Sequence, residues 1–146
     1  MGFCLPSAIG IQLARPKELV IGIDGDGSFQ MTLQDLATAA ERRLPIKIFV
    51  LNNQFLGMVR QQQQFLCGGR FSESPLTDCP DLVKLAEAYG CLGLRARSPE
   101  ELEPAIERAL AHEAGPTLVD IRVRRQENVF PFVPAGVRLD EMIREE

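Results

Sequence analysis

Two short apolar runs, residues 19–23 (LVIGI) and 46–51 (IKIFVL), constrain this chain more than any other feature. Each carries β-branched residues and ends in a polar bend. Continuous runs of this kind read as buried strands of a parallel sheet covered on both faces. Between them Met31, Leu33, Leu36, Ala37 and Ala40 recur at helical spacing to about Arg43, and Pro45 closes that helix. The unit is strand–helix–strand, and its short crossover should be right-handed.

The pattern recurs downstream. Leu82, Leu85, Ala86 and Tyr89 share one face of a helix over residues 81–89, and Gly90 stops it. A short strand follows at residues 91–97. Ser98, Pro99 and Glu101 then read as a helix start, with Ser98 as cap, Pro99 in the first turn and Glu101 completing a capping box. That helix runs to about Ala114, Gly115-Pro116 turns the chain, and residues 117–123 form another strand. A small-residue helix over residues 5–14 precedes the whole. Residues 54–80 suggest a helix and then a long loop, a segment type that often carries function. The fold class is therefore α/β, a doubly wound parallel sheet with helices on both faces. It spans residues 1–125. The tail at 126–146, with Pro131, Pro134 and Gly136, is too irregular to add a strand.

Composition narrows the partners. The chain of 146 residues fits one domain, and its net charge of −4 offers no basic field for nucleic acid. No apolar run approaches the roughly 20 residues needed to span a bilayer, so no membrane role is expected. Residues 1–6 lack the charged leader of a secretory signal. Cys4, Cys67, Cys79 and Cys91 are scattered, without a C-x-x-C pair and with one histidine, His112. Structural zinc is disfavoured, and reduced thiols in a cytoplasmic protein are expected.

Chemistry concentrates at the ends of the two apolar runs. Asp26 sits between Gly25 and Gly27 where an open α/β sheet binds ligands, at the carboxyl end of a strand. Glycines there let backbone approach phosphate oxygens, and the following helix offers free N–H groups. An acidic residue in such a bend repels phosphate unless a cation lies between them, so Asp26 suggests Mg²⁺. The second strand ends in Asn52-Asn53, whose short side chains carry neutral oxygen donors. Adjacent parallel strands would bring Asn53 beside Asp26. Either motif alone is a turn or a strand terminus; both together, 27 residues apart, favour a hard-oxygen metal site. A dinucleotide fingerprint would need a third glycine, and Phe29-Gln30 stand there instead.

The pattern GDG, about two dozen residues, then NN resembles the diphosphate–Mg²⁺ signature of thiamine-diphosphate enzymes. The flanking text, GDGSFQMTLQDLATA and PIKIFVLNNQFLGMVRQ, is similar to the acetolactate synthase (acetohydroxyacid synthase) large subunit, as are MGFCLPSAIG, GGRFSES and ENVFPFVPAG. The resemblance implies a thiamine-diphosphate-binding fold. It implies that Asp26, the Asn53 side chain and the Phe55 carbonyl bind Mg²⁺, with Gly25, Gly27 and Ser28 at the diphosphate. Gly57 and Met58 would lie along the cofactor, Met31 near its rings, and the Met1 backbone at the aminopyrimidine. Gln62 replaces a tryptophan that lines the family's substrate channel, which loosens the substrate assignment.

The resemblance further implies condensation of two 2-oxo acids with loss of CO₂, chemistry that the cofactor carries. FAD and the glutamate that activates the cofactor belong to other domains of the family. A pyrimidine-binding domain or subunit and a homo-oligomeric state are the expected partners. The likeness begins partway into the domain, so the family's first strand and aminopyrimidine loop are expected to be missing. A fragment, a truncated gene product and one half of a split enzyme all fit that expectation. Another thiamine-diphosphate carboligase or decarboxylase, of the glyoxylate carboligase type, is the alternative within the enzyme class. A non-catalytic cofactor-binding or oligomerisation remnant is the alternative outside it.

Overall fold

The computed structural model describes residues 1–77 and 79–144, so the last two residues of the tail lie outside it. Four parallel strands form one sheet: β1 (Ile21–Gly25), β2 (Lys47–Asn52), β3 (Leu92–Ala96) and β4 (Thr117–Arg122). Their order is β1-β2-β4-β3, so the last strand is inserted between two earlier ones. Steps β1 to β2 and β2 to β3 cross the sheet in one direction, and β3 to β4 returns. With a single crossover hand, opposite directions place helices on opposite faces.

The helices obey that rule. α1 (Cys4–Ala14), α2 (Asp26–Gln30), α3 (Leu36–Glu41) and α5 (Leu82–Ala88) pack one core with Ile48, Val50 and Leu118. α6 (Pro99–Ala111) covers the other face, where Ala105 and Ala109 meet Phe49, Leu94, Ala96 and Val119. The remaining helix, α4 (Gly57–Leu66), lies just beyond the carboxyl end of β2. Gly22 sets how closely α1 can approach the sheet, because a Cβ there would stand 2.6 Å from Cys4 Sγ.

Three local expectations are corrected. The first apolar run is not covered on both faces: Ile21 and Ile23 are 48% and 67% exposed. β1 is an edge strand, and α6 lies over β3 and β4 without reaching it. The helix expected up to Arg43 is broken into α2, a 3₁₀ turn at Leu33–Asp35 and α3. The break falls at Thr32, with φ −135° and ψ 19°. Apolar spacing dictates which side chains turn inward, not whether the backbone between them is continuous. The capping box at Ser98 does not form. Ser98 makes no cap hydrogen bond, and Glu101 Oε2 accepts from Arg97 N at 2.8 Å, one residue too early. The neighbouring Ser98 hydroxyl lowers the Glu100 pKa.

Among the described residues the tail adds no strand to the sheet, and it docks on α4 by side chains. Gln61 is buried and imitates a strand partner: its Nε2 donates to Val129 O at 3.1 Å, and its Oε1 accepts from Val129 N at 2.7 Å. Phe65 packs between Phe130 and Phe132, with ring centroids 6.0 and 5.8 Å away.

Candidate functional site

A cleft of about 290 Å³ opens at the carboxyl ends of the strands, where β1 and β2 deliver their glycine and asparagine motifs. Gly25, Asp26, Gly27, Ser28, Asn53, Phe55, Gly57 and Met58 all line it, and Met1 closes one end. Met31 does not line it; its side chain is exposed beside Gly2, next to the Met1 end. Gln62 is exposed one turn along α4 from Met58 and does not line the cleft. Leu51, Leu56, Val59 and Val123 complete the wall and escaped the sequence reading. Val123 follows β4, and only the inserted strand order brings it beside β2.

The bend is shaped for close approach. A Cβ on Gly27 would meet Leu56 Cδ2 at 2.5 Å, whereas one on Gly25 would meet nothing within 4 Å. Gly27 therefore admits Leu56 packing, and Gly25 leaves open space in the cleft wall. The Ser28 hydroxyl accepts from Gly2 N at 2.9 Å, which leaves its own proton to donate.

Asp26 is the dominant charge. It is 2% exposed, and its Oδ2 accepts from Gln54 N at 2.8 Å. No ion pair among the described residues includes it. Burial pushes its carboxyl above the ordinary carboxylate range; the N–H groups of Gly27 and Gln54 pull it down, and the charge of Asp120 adds to the rise. A buried carboxylate without a cation is costly, and a bound metal ion removes that cost. Among the described residues no cluster of three or more His, Cys, Asp or Glu gathers to hold a metal by protein groups alone. The available donors are instead one carboxylate, the Asn53 amide and backbone carbonyl, with room for ligand oxygens. Asn53 Oδ1 accepts from Phe55 N at 3.0 Å and keeps a second lone pair. No hydrogen bond among the described residues ends on the Phe55 carbonyl oxygen. This donor set fits Mg²⁺ completed by phosphate oxygens.

Arginines and a second carboxylate flank the site. The Arg60 and Arg125 guanidinium groups lie 5.7 and 5.0 Å from the Phe55 ring centroid. Behind β2, Asp120 is fully buried and held by Arg95 at 2.9 Å and Arg122 at 3.3 Å. Arg95 also binds Asp81, the N-cap of α5, and holds its carboxyl down at about 2.

A doubly wound parallel sheet with this cleft at its strand ends is the thiamine-diphosphate-binding α/β fold. The chain belongs to the family described as thiamine pyrophosphate enzyme, C-terminal TPP binding domain, whose model matches residues 1–121. Among curated proteins it is 46% identical over 143 residues to the acetolactate synthase isozyme 2 large subunit of Escherichia coli K12, covering 98% of this chain and 26% of that protein. It is 45% identical to an acetolactate synthase of Mycobacterium leprae, over 97% of this chain and 23% of that one. The chain thus spans about a quarter of the length of the curated relatives it matches. A solved structure, the thiamine diphosphate-dependent 4-hydroxybenzoylformate decarboxylase of Rhodococcus jostii RHA1, is similar with TM-score 0.77 and 38% identity. That similarity covers 88% of this chain and 24% of the decarboxylase. No helix among the described residues is long and apolar enough to cross a membrane.

Proposed function

We propose that this chain holds the diphosphate of thiamine diphosphate through Mg²⁺, as part of an acetolactate synthase. That enzyme condenses pyruvate with pyruvate or 2-ketobutyrate, with loss of CO₂, in branched-chain amino acid biosynthesis. The observation that carries the reading is Asp26: a buried carboxylate with no ion pair among the described residues, lining a cleft walled by glycines. Asp26, Asn53 Oδ1 and the Phe55 carbonyl would hold the metal, while Gly25, Gly27 and Ser28 would face the phosphates. Gly57 and Met58 would lie along the cofactor, with Met1 and Met31 toward its rings and Gln62 at the substrate side. When bound, the cofactor supplies the carbon nucleophile; this chain's residues bind and orient it and perform no proton transfer that we assign.

The activating glutamate and FAD would come from other domains, and a pyrimidine-binding domain or subunit is the proposed partner. A cytoplasmic homo-oligomer is the proposed setting, and the exposed side chains of Ile21, Ile23 and Leu51 offer apolar surface for association. Mixing the chain with a pyrimidine-domain partner, FAD, thiamine diphosphate, Mg²⁺ and pyruvate should yield acetolactate. Acetaldehyde as the sole product would favour the second reading, a decarboxylase, which the resemblance to the Rhodococcus jostii enzyme supports. Cofactor binding without either product would favour a non-catalytic role.

The raised pKa of Asp26 sets a pH dependence. In the ligand-free chain its contribution to stability is fully present below the ordinary value of 3.8 and is lost as pH rises through the folded-state value. Metal binding has the opposite sign, because it needs the ionised carboxylate. The increase in melting temperature caused by Mg²⁺ and thiamine diphosphate should therefore shrink on acidification before pH reaches 3.8. An increment that stays constant down to that pH would contradict the assignment of Asp26.

A further inference from the structure

The two asparagines of the Asn52-Asn53 pair do different things. Asn53 faces the cleft, whereas Asn52 is 2% exposed and lies on the opposite side of the strand end. Its Nδ2 donates to Asp120 Oδ1 at 2.8 Å. An ionised carboxylate only accepts hydrogen bonds, so Asp120 dictates which way the Asn52 amide faces. Asn52 Oδ1 is thereby turned to accept from Gln54 N at 3.2 Å. The same N–H donates to Asp26 Oδ2 at 2.8 Å. Gln54 itself has φ +59°, a left-handed conformation that a residue with a side chain adopts only when held there.

We propose that Asn52 and Asp120 are positioning residues for the diphosphate site, acting as a hydrogen-bond relay that runs from β4 across β2 to Asp26 on the far side. The inference rests on the reading of Asp26 given above. Asp120 orients Asn52, Asn52 fixes the Gln54 N–H, and that N–H fixes one carboxylate oxygen of Asp26. Arg95 and Arg122 both pair with Asp120 and hold its carboxylate in place, so the relay starts from a fixed acceptor. Leu76 N donates to Gln54 O at 2.8 Å and Val123 N to Asn52 O at 3.2 Å, which pins the backbone on either side.

A network with a purely structural role would lose stability on substitution without loosening the Gln54 amide or the metal site, and a relay would loosen both. Asn52→Leu is therefore the first variant, with two readouts. In the ligand-free chain, exchange of the Gln54 amide proton should quicken about tenfold, the size of one lost hydrogen bond. In calorimetric titration with thiamine diphosphate present, the Mg²⁺ dissociation constant should rise by about the same factor. If Asn52→Leu does not fold, a polarity exchange replaces it. Asn52→Asp alone sets two carboxylates against each other and should weaken Mg²⁺ binding. Asn52→Asp with Asp120→Asn restores the amide–carboxylate hydrogen bond and the acceptor for Gln54 N, though not the ion pairs to Arg95 and Arg122, and should bind Mg²⁺ more tightly than Asn52→Asp alone. The proposal is overturned if Asn52→Leu leaves either readout unchanged, or if the double exchange binds no better than Asn52→Asp. Failure of the underlying reading looks different. The unaltered chain would then show no Mg²⁺-dependent binding, or Asp26→Ala would bind equally well, whatever the Gln54 amide does.

Discussion

Asp26→Ala is expected to abolish Mg²⁺-dependent binding of thiamine diphosphate, with affinity falling by at least about 100-fold, since even groups behind a metal ligand are worth roughly 10–100-fold. The carboxylate is the one anionic donor in the proposed set, and neither Asn53 nor the Phe55 carbonyl brings a compensating charge. The same site predicts an opposite effect on stability. Burial raises the pKa of Asp26, which means that its ionised form works against the ligand-free fold at neutral pH. Asp26→Asn, which keeps the shape and removes the charge, should melt no lower than the original chain without metal and should gain less from Mg²⁺. Melting curves with and without Mg²⁺ and thiamine diphosphate, run beside calorimetric titration, read both signs. Equal affinity in Asp26→Ala would refute the metal assignment. A markedly less stable Asp26→Asn would refute the argument from burial. A functional site that costs the resting fold stability is a familiar trade.

Phe29→Ala should be the most damaging single change to the fold. Phe29 is fully buried, three residues after Asp26, in a helix of five residues. A helix that short has no independent stability, so its place depends on packing against the sheet. Truncating a buried phenylalanine costs about 3–5 kcal/mol, against roughly 5–15 kcal/mol for a whole domain. Urea unfolding should show a loss of that size, and Mg²⁺-dependent cofactor binding should weaken with it, because α2 begins at Asp26 itself. A shift of less than about 1 kcal/mol would mean that the bend is held by something other than this packing.

The elements most readable from sequence are those governed by local periodicity. The four strands and most of the helices lie where apolar runs and i, i+3, i+4 spacing put them, because burial on one face is a local constraint. Failures occurred where a local rule competed with a tertiary one. The Ser98 capping box does not form because Glu101 accepts from Arg97 N, one residue before the cap. The expected single helix before Arg43 broke at Thr32 because inward spacing survives a bend. The exposed face of β1 is not legible in the sequence, because an apolar run does not reveal which strand lies at the edge. In the site, Asp26 and Asn53 were legible because they end consecutive strands that pair directly, with Gly25 opposite Leu51. Leu51 and Val123 were not, since neither belongs to a motif.

The sequence alone determined the alternation of strands and helices, the glycine bend, and the nearness of one acidic and one amide side chain. All three follow from residues close together in the chain. The tertiary structure decided how labour is divided within Asn52-Asn53, and it did so through strand order. Insertion of β4 beside β2 places Asp120 against Asn52, 68 residues earlier, so one asparagine turns inward to the relay and the other remains in the cleft. Nothing in a local pattern specifies which strand arrives between two others; only packing both faces of the sheet does.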